Sequence, residues 1–294
     1  MLYKQALSTL LAFTVLLSLA ACSSKSKHAP NPNHPPISRN NTDSNITYNA
    51  LIVAVHDYAG DANDLDGITT DETNMYNLIH SWGFDVNISK HPMQLEEQLD
   101  DYANTLKAED VFIFYYSGHG TSTPDTSHDE ADGKDELIVL SDSDTNLFIL
   151  DDKINLMLNK IKARKLIIFD SCNSGTALKV MAATTTLSNT KVKYITAAKD
   201  VGDNAPQNSQ VPNTPTLGTY LFFAACKDNE ESLASNNGSL YTNAFKANII
   251  LNQSASTLLQ KTRTALSGKF TPQLSSSDVS LENIPLKQYL KLSF

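Results

Sequence analysis

Two reactive side chains stand directly behind apolar runs. His119 lies between glycines in Gly118-His119-Gly120, after Val111-Phe112-Ile113-Phe114-Tyr115-Tyr116, and Cys172 lies in Asp170-Ser171-Cys172-Asn173-Ser174-Gly175, after Leu166-Ile167-Ile168-Phe169. They are 53 residues apart. A thiol beside an imidazole can carry out acyl transfer, sulfur attacking a carbonyl while the ring takes and returns the proton. The two glycines let the backbone turn tightly and leave room for a substrate. A helix starting just after Cys172 would favour its thiolate through the dipole. A single Cys or His is ordinarily a core or surface residue; two of them at strand ends in Gly/Ser-rich turns set this pair apart. No G-x-S-x-G elbow is present, and Ser171 and Ser174 have no evident base, which argues against a serine esterase.

The elements that would position these residues can be read from the hydrophobic pattern. Residues 48–55 form a buried strand candidate, 69–82 a helix with Met75, Leu78, Ile79 and Trp82 on one stripe, 84–88 a short strand, 93–106 a helix and 110–118 a nearly all-apolar central strand. This βαβαβ order predicts an α/β fold with a mainly parallel sheet flanked by helices on both faces. Residues 136–142 and 146–150 read as a hairpin, 151–161 as a helix opening on Asp151 and Asp152, and 164–170 as a second buried strand. Residues 192–200 and 219–228 are further strand candidates, and 240–250 and 255–266 helices. The polar stretch 199–219, with three prolines, reads as a surface loop, with a processing or substrate-binding role as the alternative. In such a sheet ligands gather at the carboxyl ends of the strands, where His119 and Cys172 both fall.

Composition narrows the classes. The chain has 294 residues, is 41% hydrophobic and 19% charged, and can bury a sizeable core. Its net charge of -9 comes without any Lys/Arg-rich block, which argues against nucleic acid as a partner. Three cysteines without a CxxC pair exclude a disulfide scaffold and a clustered zinc site. Cys226 ends a strand pattern and reads as a core thiol, with an inactivating disulfide to Cys172 as the alternative in an oxidising compartment. The N-terminus carries Lys4 and then an uncharged stretch from Gln5 to Ala21, the pattern of an export signal. Leu19-Ala20-Ala21-Cys22 resembles the bacterial lipobox, which implies removal of residues 1–21 and lipidation of Cys22; a retained anchor helix is the alternative. Ser23 after the cysteine implies the outer membrane of a cell envelope. Residues 22–46, rich in Pro, Asn and Ser, read as a disordered tether before a folded domain at 47–294.

The motifs carry a resemblance. Phe114-Tyr115-Tyr116-Ser117-Gly118-His119-Gly120 and Asp170-Ser171-Cys172-Asn173-Ser174-Gly175 resemble the histidine and cysteine motifs of the caspase-like cysteine peptidases, in particular the metacaspase type. Asn173 stands where the family usually has His. The resemblance extends through Asp129–Glu136, Ile149–Asp152, Ala225–Asp228 and Thr271–Ser276, covering nearly everything from Tyr48 onward. It implies a three-layer sandwich and a monomeric endopeptidase with a His119–Cys172 dyad. It also implies an oxyanion hole of the Gly120 and Cys172 N–H groups, and a pocket in which Asp71 and Asp170 read an Arg or Lys before the cut bond. The usual Cys and Asn near Asp71 are Ile68 and Thr70 here, and Asp71 could equally be a solvated first-turn helix acid. No cofactor is required, but the family resemblance raises calcium activation through Asp151 and Asp152. There the further family ligand would fall near Lys179, which cannot serve; acidic residues in Asp129 to Glu136 could compensate, and helix capping explains the two aspartates equally well. The alternative to an enzyme is a catalytically silent caspase-like scaffold or regulator.

Overall fold

The computed structural model describes residues 46–124, 133–172, 190–194, 218–227 and 230–294. All belong to the compact unit Pro36–Phe294. Along the chain the strands are β1 (Tyr48–Ala54), β2 (Asp85–Ile88), β3 (Val111–Ser117), β4 (Gly120–Pro124), β5 (Lys134–Ser141), β6 (Asn146–Leu150), β7 (Arg164–Asp170), β8 (Thr190–Val192), β9 (Tyr220–Ala224), β10 (Leu233–Ser235) and β11 (Gln273–Ser276). The helices are α1 (Ile68–Ser81), α2 (Leu95–Thr105), α3 (Asp151–Lys160), α4 (Leu240–Asn248), α5 (Ala255–Leu266) and the short α6 (Leu286–Tyr289).

The central sheet runs β11-β9-β7-β3-β1-β2, and only the edge strand β11 is antiparallel to its neighbour. A parallel strand covered on both faces must be apolar throughout, and every residue of β3 is buried. Its side chains alternate between two cores. Val111, Ile113 and Tyr115 join Met75 and Ile79 of α1, Tyr241 and Phe245 of α4, and Leu258 of α5. Phe112, Phe114 and Tyr116 join Leu95 and Leu99 of α2 and Ile154, Met157 and Leu158 of α3 on the opposite face. The result is a three-layer α/β/α sandwich of caspase-like architecture, as expected.

Beside the main sheet lie two small ones, an antiparallel β4-β5-β6 meander and the two-stranded β8-β10 ribbon. The β5-β6 hairpin is the expected one, whereas β4, β10 and β11 were not read from the pattern. The strand expected at 192–200 departs further: β8 ends at Val192 and pairs with β10 outside the main sheet, and residues 195–200 lie outside the described residues. So do most of the 199–219 stretch, Cys22, the 1–21 leader, Asn173 and Lys179.

The membrane reading is corrected. Crossing hydrocarbon takes about 20 apolar residues in a helix, whereas α1, the longest described helix, has 14 residues and a polar face. Among the described residues no helix is long and apolar enough to cross a membrane. That absence stands against the lipoprotein anchor, the membrane partner and the outer-membrane localisation expected from the N-terminus, which are not carried further; Cys22 and residues 1–21 themselves lie outside the described residues.

Phe114 is fully buried and packs edge-on against Phe169 of the neighbouring strand, with ring centroids 5.8 Å apart. Phe114→Ala should therefore cost about 3–5 kcal/mol, measured as a lowered urea midpoint at unchanged slope. A loss below about 1 kcal/mol would mean that this layer is not the tightly packed core described here.

Candidate active site

The register of β3 and β7 builds the site. Ser117 pairs with Asp170 at the carboxyl ends of these adjacent parallel strands, so Gly118-His119-Gly120 and Ser171-Cys172 leave the sheet side by side. The Gly118 N–H donates to the Asp170 carbonyl at 3.3 Å. At Gly120 the chains approach so closely that a β-carbon would lie 2.0 Å from the Cys172 carbonyl oxygen, which no larger residue could tolerate.

His119 is buried and held at three points. Its backbone N–H donates to the Tyr58 hydroxyl at 2.8 Å, and its carbonyl accepts from the Tyr116 hydroxyl at 2.7 Å. Its Nε2 lies 2.6 Å from the Asn63 carbonyl oxygen, at the end of the single turn Asp61–Asn63. A carbonyl only accepts, so Nε2 carries the proton and Nδ1 is the free base. Nδ1 is buried and makes no hydrogen bond. The Tyr58 ring packs on the imidazole, centroids 4.5 Å apart.

Cys172 and Cys226 are both free, buried thiols. The Cys172 Sγ donates to the Ser232 carbonyl at 3.5 Å, while the Cys226 Sγ donates to the carbonyls of Glu230 at 3.3 Å and Ser171 at 3.5 Å. Burial pushes the Cys172 thiol well above the usual thiol range, with Cys226 adding to the effect. Burial likewise lowers His119 below the ordinary imidazole value, against the opposing pull of the Asn63 and Lys193 backbone. The resting pair is thus a neutral thiol and a neutral imidazole. The thiolate favoured by the dipole argument is overridden by desolvation.

Asp71 and Asp170, from α1 and the end of β7, share one fully buried pocket, and a third charge lies between them. Lys193 Nζ is 2.9 Å from Asp170 Oδ1 and 3.8 Å from Asp71 Oδ2. It also donates to Ser117 Oγ and to the Asp170 carbonyl, each at 2.8 Å. Asp170 accepts from Ser232 Oγ at 2.8 Å and from Thr242 Oγ1 at 2.6 Å, and Asp71 accepts from the Ser239 N–H at 2.8 Å and from Ser117 Oγ at 3.0 Å. Burial alone would raise Asp170, but the Lys193 ammonium and these donors hold it below the ordinary carboxylate value. Asp71 is pushed up to about 6, first by burial and then by Asp170, with Lys193 opposing. The solvated-acid reading of Asp71 therefore does not hold.

The backbone of Lys193 is gripped as well. Its N–H donates to the Ser232 carbonyl, and its own carbonyl accepts the Gly120 N–H, each at 3.0 Å. Of the two N–H groups expected to form an oxyanion hole, that of Gly120 is thus already directed at a peptide carbonyl.

Asp151 and Asp152 stand elsewhere, in the first turn of α3, where Asp151 Oδ1 accepts the Asp152 N–H at 2.8 Å. Among the described residues no group of three or more His, Cys, Asp or Glu side chains could hold a metal ion. Asp129, Glu130 and Asp132 lie outside the described residues, and no step below is routed through calcium.

The caspase-domain family matches residues 48–284, the span that carries both motifs and both sandwich layers. The chain belongs to the caspase-domain family. It is 29% identical to metacaspase-1B of Aspergillus fumigatus over 79% of this chain and 71% of that protein. With metacaspase-1 of Kluyveromyces lactis it shares 30% identity over 68% of this chain, and with that of Candida albicans 27% over 78%. The chain spans about half the length of the former and 64% of the latter. In fold, this caspase domain is similar to a crystal structure from Geobacter sulfurreducens (TM-score 0.61, 21% identity, 82% of this chain and 98% of that one). It is also similar to caspase-1 of Spodoptera frugiperda (TM-score 0.51, 14% identity, 82% of this chain and 92% of that one).

The Asn63 carbonyl, Tyr58, Ser232 and Lys193 were missed from sequence. A backbone carbonyl has no residue signature, and Lys193 lay inside a stretch read as a sheet strand. In the intact caspase domain, buried and protonated Cys172 should react with iodoacetamide at pH 7.5 at least about tenfold more slowly than a free cysteine. Peptide mass analysis showing alkylation at the free-thiol rate would refute the neutral resting pair.

Proposed function

We propose that the chain is a cysteine endopeptidase that cuts after Lys or Arg, using Cys172 as nucleophile and His119 as general base and acid. The observation that carries this reading is the threefold grip on Lys193: its ammonium between Asp71 and Asp170, its N–H on Ser232 and its carbonyl on Gly120. A peptide bound by those contacts has its basic side chain recognised and its carbonyl polarised at once.

In the proposed reaction Nδ1 of His119 takes the Cys172 proton as sulfur attacks the carbonyl. The oxyanion is stabilised by the Gly120 N–H, with the Cys172 N–H as the second donor. His119 then protonates the leaving amine, and water resolves the thioester by the reverse proton path. The Asn63 carbonyl fixes the tautomer and stabilises the imidazolium, as a third partner made of backbone. Asp170, ionised and fully hydrogen-bonded, supplies most of the selectivity for a cation, and Asp71 supplements it above about pH 6.

A panel of peptides differing only in Lys, Arg or Asp before the scissile bond tests the reading. Lys and Arg peptides should be cut and the Asp peptide left intact, and Cys172→Ala should abolish cleavage. Asp170→Asn removes a charge-assisted contact and should lower kcat/KM for Lys peptides about 10- to 100-fold. Cleavage after Asp, or cleavage surviving loss of the thiol, would overturn the proposal. A folded protein that cuts nothing would favour the silent scaffold.

Asp71 gives a pH test with a defined sign. Its folded value of about 6 lies above the ordinary 3.8, so the folded state holds the extra proton between these values and stability falls as pH rises through that window. Ionised Asp71 is a stability cost at pH 7.5. Asp71→Asn should leave the Tm at that pH unchanged or higher while raising KM for Lys peptides. A Tm lowered by several degrees would show that the ionised carboxylate is a net support of the fold.

A further inference from the structure

β1, β3 and β7 are consecutive neighbours in the sheet, and Ala54, Ser117 and Asp170 end them in register. The chain therefore leaves β1 beside the turn that carries His119, and the Val55 N–H donates to the Ser117 carbonyl at 2.9 Å. The loop that follows meets the histidine from two directions. Tyr58 sets its hydroxyl on the backbone N–H and its ring on the imidazole, and Asn63 sets its carbonyl at Nε2. Between these two contacts the backbone has only Gly60, at a φ of 91°, and the single turn Asp61–Asn63 to give it shape.

One carboxylate closes this loop on itself. Asp64 Oδ1 accepts the Tyr58 N–H at 2.9 Å, a link spanning six positions. It ties the residue that holds the histidine backbone to the neighbour of the residue that holds its ring. Around it, Asn63 Nδ2 donates to the Ala59 carbonyl at 3.0 Å and the Leu65 N–H to the His56 carbonyl at 2.9 Å. From outside the loop, Asn146 Oδ1 accepts the Ala59 N–H at 3.0 Å. Tyr58 is buried, whereas Asp64 is half-buried and belongs to neither core.

Resting on the endopeptidase reading above, we infer that Asp64 is a positioning residue of the reaction: acting through Tyr58 and Asn63, its carboxylate holds the His119 imidazole with Nε2 protonated and Nδ1 free as the base. The 2.6 Å contact of Nε2 with the Asn63 carbonyl weakens steeply once stretched or bent. A carbonyl that drifts no longer pins the proton to Nε2. Part of the imidazole then carries it on Nδ1 and cannot act as base, and the imidazolium formed in the reaction loses its acceptor. The other influences on the ring are burial and the charges of Lys193 and Lys191, which lower it, and the Lys193 backbone, which raises it. Tyr58 and Cys172, both raised by burial, bring no charge.

The test uses the full chain as wild type, Asp64→Ala and Asp64→Asn. The alanine variant keeps the Asp64 backbone carbonyl, which accepts from Lys191 Nζ at 2.8 Å, so only the side-chain acceptor is lost. The asparagine variant keeps a neutral acceptor. On a Lys peptide, Asp64→Ala should lower kcat about 10- to 100-fold with KM changed less than about twofold. The acid limb of its kcat/KM profile should move to lower pH, because the imidazolium has lost a hydrogen bond. Asp64→Asn should restore most of kcat. Nitrogen-15 NMR of the resting protein, with His119 assigned by its loss in His119→Gln, should show the proton on Nε2 in wild type and shared between both nitrogens in Asp64→Ala. General loosening would instead admit water and move the acid limb up toward the ordinary imidazole value, and that direction would overturn the inference. Unchanged kcat in Asp64→Ala, an effect confined to KM, or an Asp64→Asn as impaired as the alanine variant would also overturn it, with the endopeptidase reading left standing. A wild type that cuts no Lys peptide would sink both.

Discussion

The parallel register that sets Ser117 opposite Asp170 is the constraint on which the site depends. Each partner does two things at that point. Ser117 closes β3 and lends its hydroxyl to both Asp71 and Lys193, and Asp170 closes β7 and receives Lys193. The next residues on each strand carry the imidazole and the thiol. A slip of one residue would turn every side chain of the strand to the opposite layer, and β3 and β7 are buried on both faces by different helices. The two cores therefore fix the register, and the register fixes the chemistry.

The three charges of the pocket are poor material for stability. Removing an ion pair from water costs several kcal/mol per ion, and the attraction recovered seldom exceeds it. Here two carboxylates share one ammonium, so one charge is left uncompensated, and the pocket responds unevenly. Asp170 has the closest approach to Lys193 and donors from Ser232 and Thr242, and stays ionised; Asp71, farther from the ammonium and beside a like charge, is raised. Such an arrangement is intelligible as recognition. It specifies a cation at one depth, and it would be left with an uncompensated pair of carboxylates by any neutral occupant.

The central architecture was legible because parallel strands buried on both faces must be apolar runs, and 111–117 and 164–170 are such runs. The same physics made His119 and Cys172 visible, since strand ends in this topology converge. β4, β8, β10 and β11 were not legible: Gly-Thr-Ser-Thr-Pro, Thr-Lys-Val, Leu-Ala-Ser and Gln-Leu-Ser-Ser are short or polar, and pair because neighbours present free edges rather than because of their own pattern. Asp71 and Asp170 were paired through the resemblance and not through spacing, as 99 positions separate them. The charge state of Cys172 was misjudged because a dipole can be guessed from position, whereas burial depends on what the rest of the chain lays over the thiol.

Recognition and reactivity are linked through the burial of the site. Desolvation raises the thiol and lowers the imidazole, so a separated thiolate and imidazolium would be disfavoured on both sides in the resting site. In the proposed reaction the proton therefore moves only as the sulfur–carbon bond forms, when negative charge passes from sulfur to an oxygen already facing the Gly120 N–H. The imidazolium formed at that moment has the Asn63 carbonyl at its far nitrogen. Placement of the carbonyl, which the lysine side chain secures from the pocket, thus becomes a condition for activating the nucleophile. A peptide that fails to seat its basic residue would leave the carbonyl off the Gly120 N–H and the thiol protonated, so discrimination would fall on the rate of the chemical step as well as on binding.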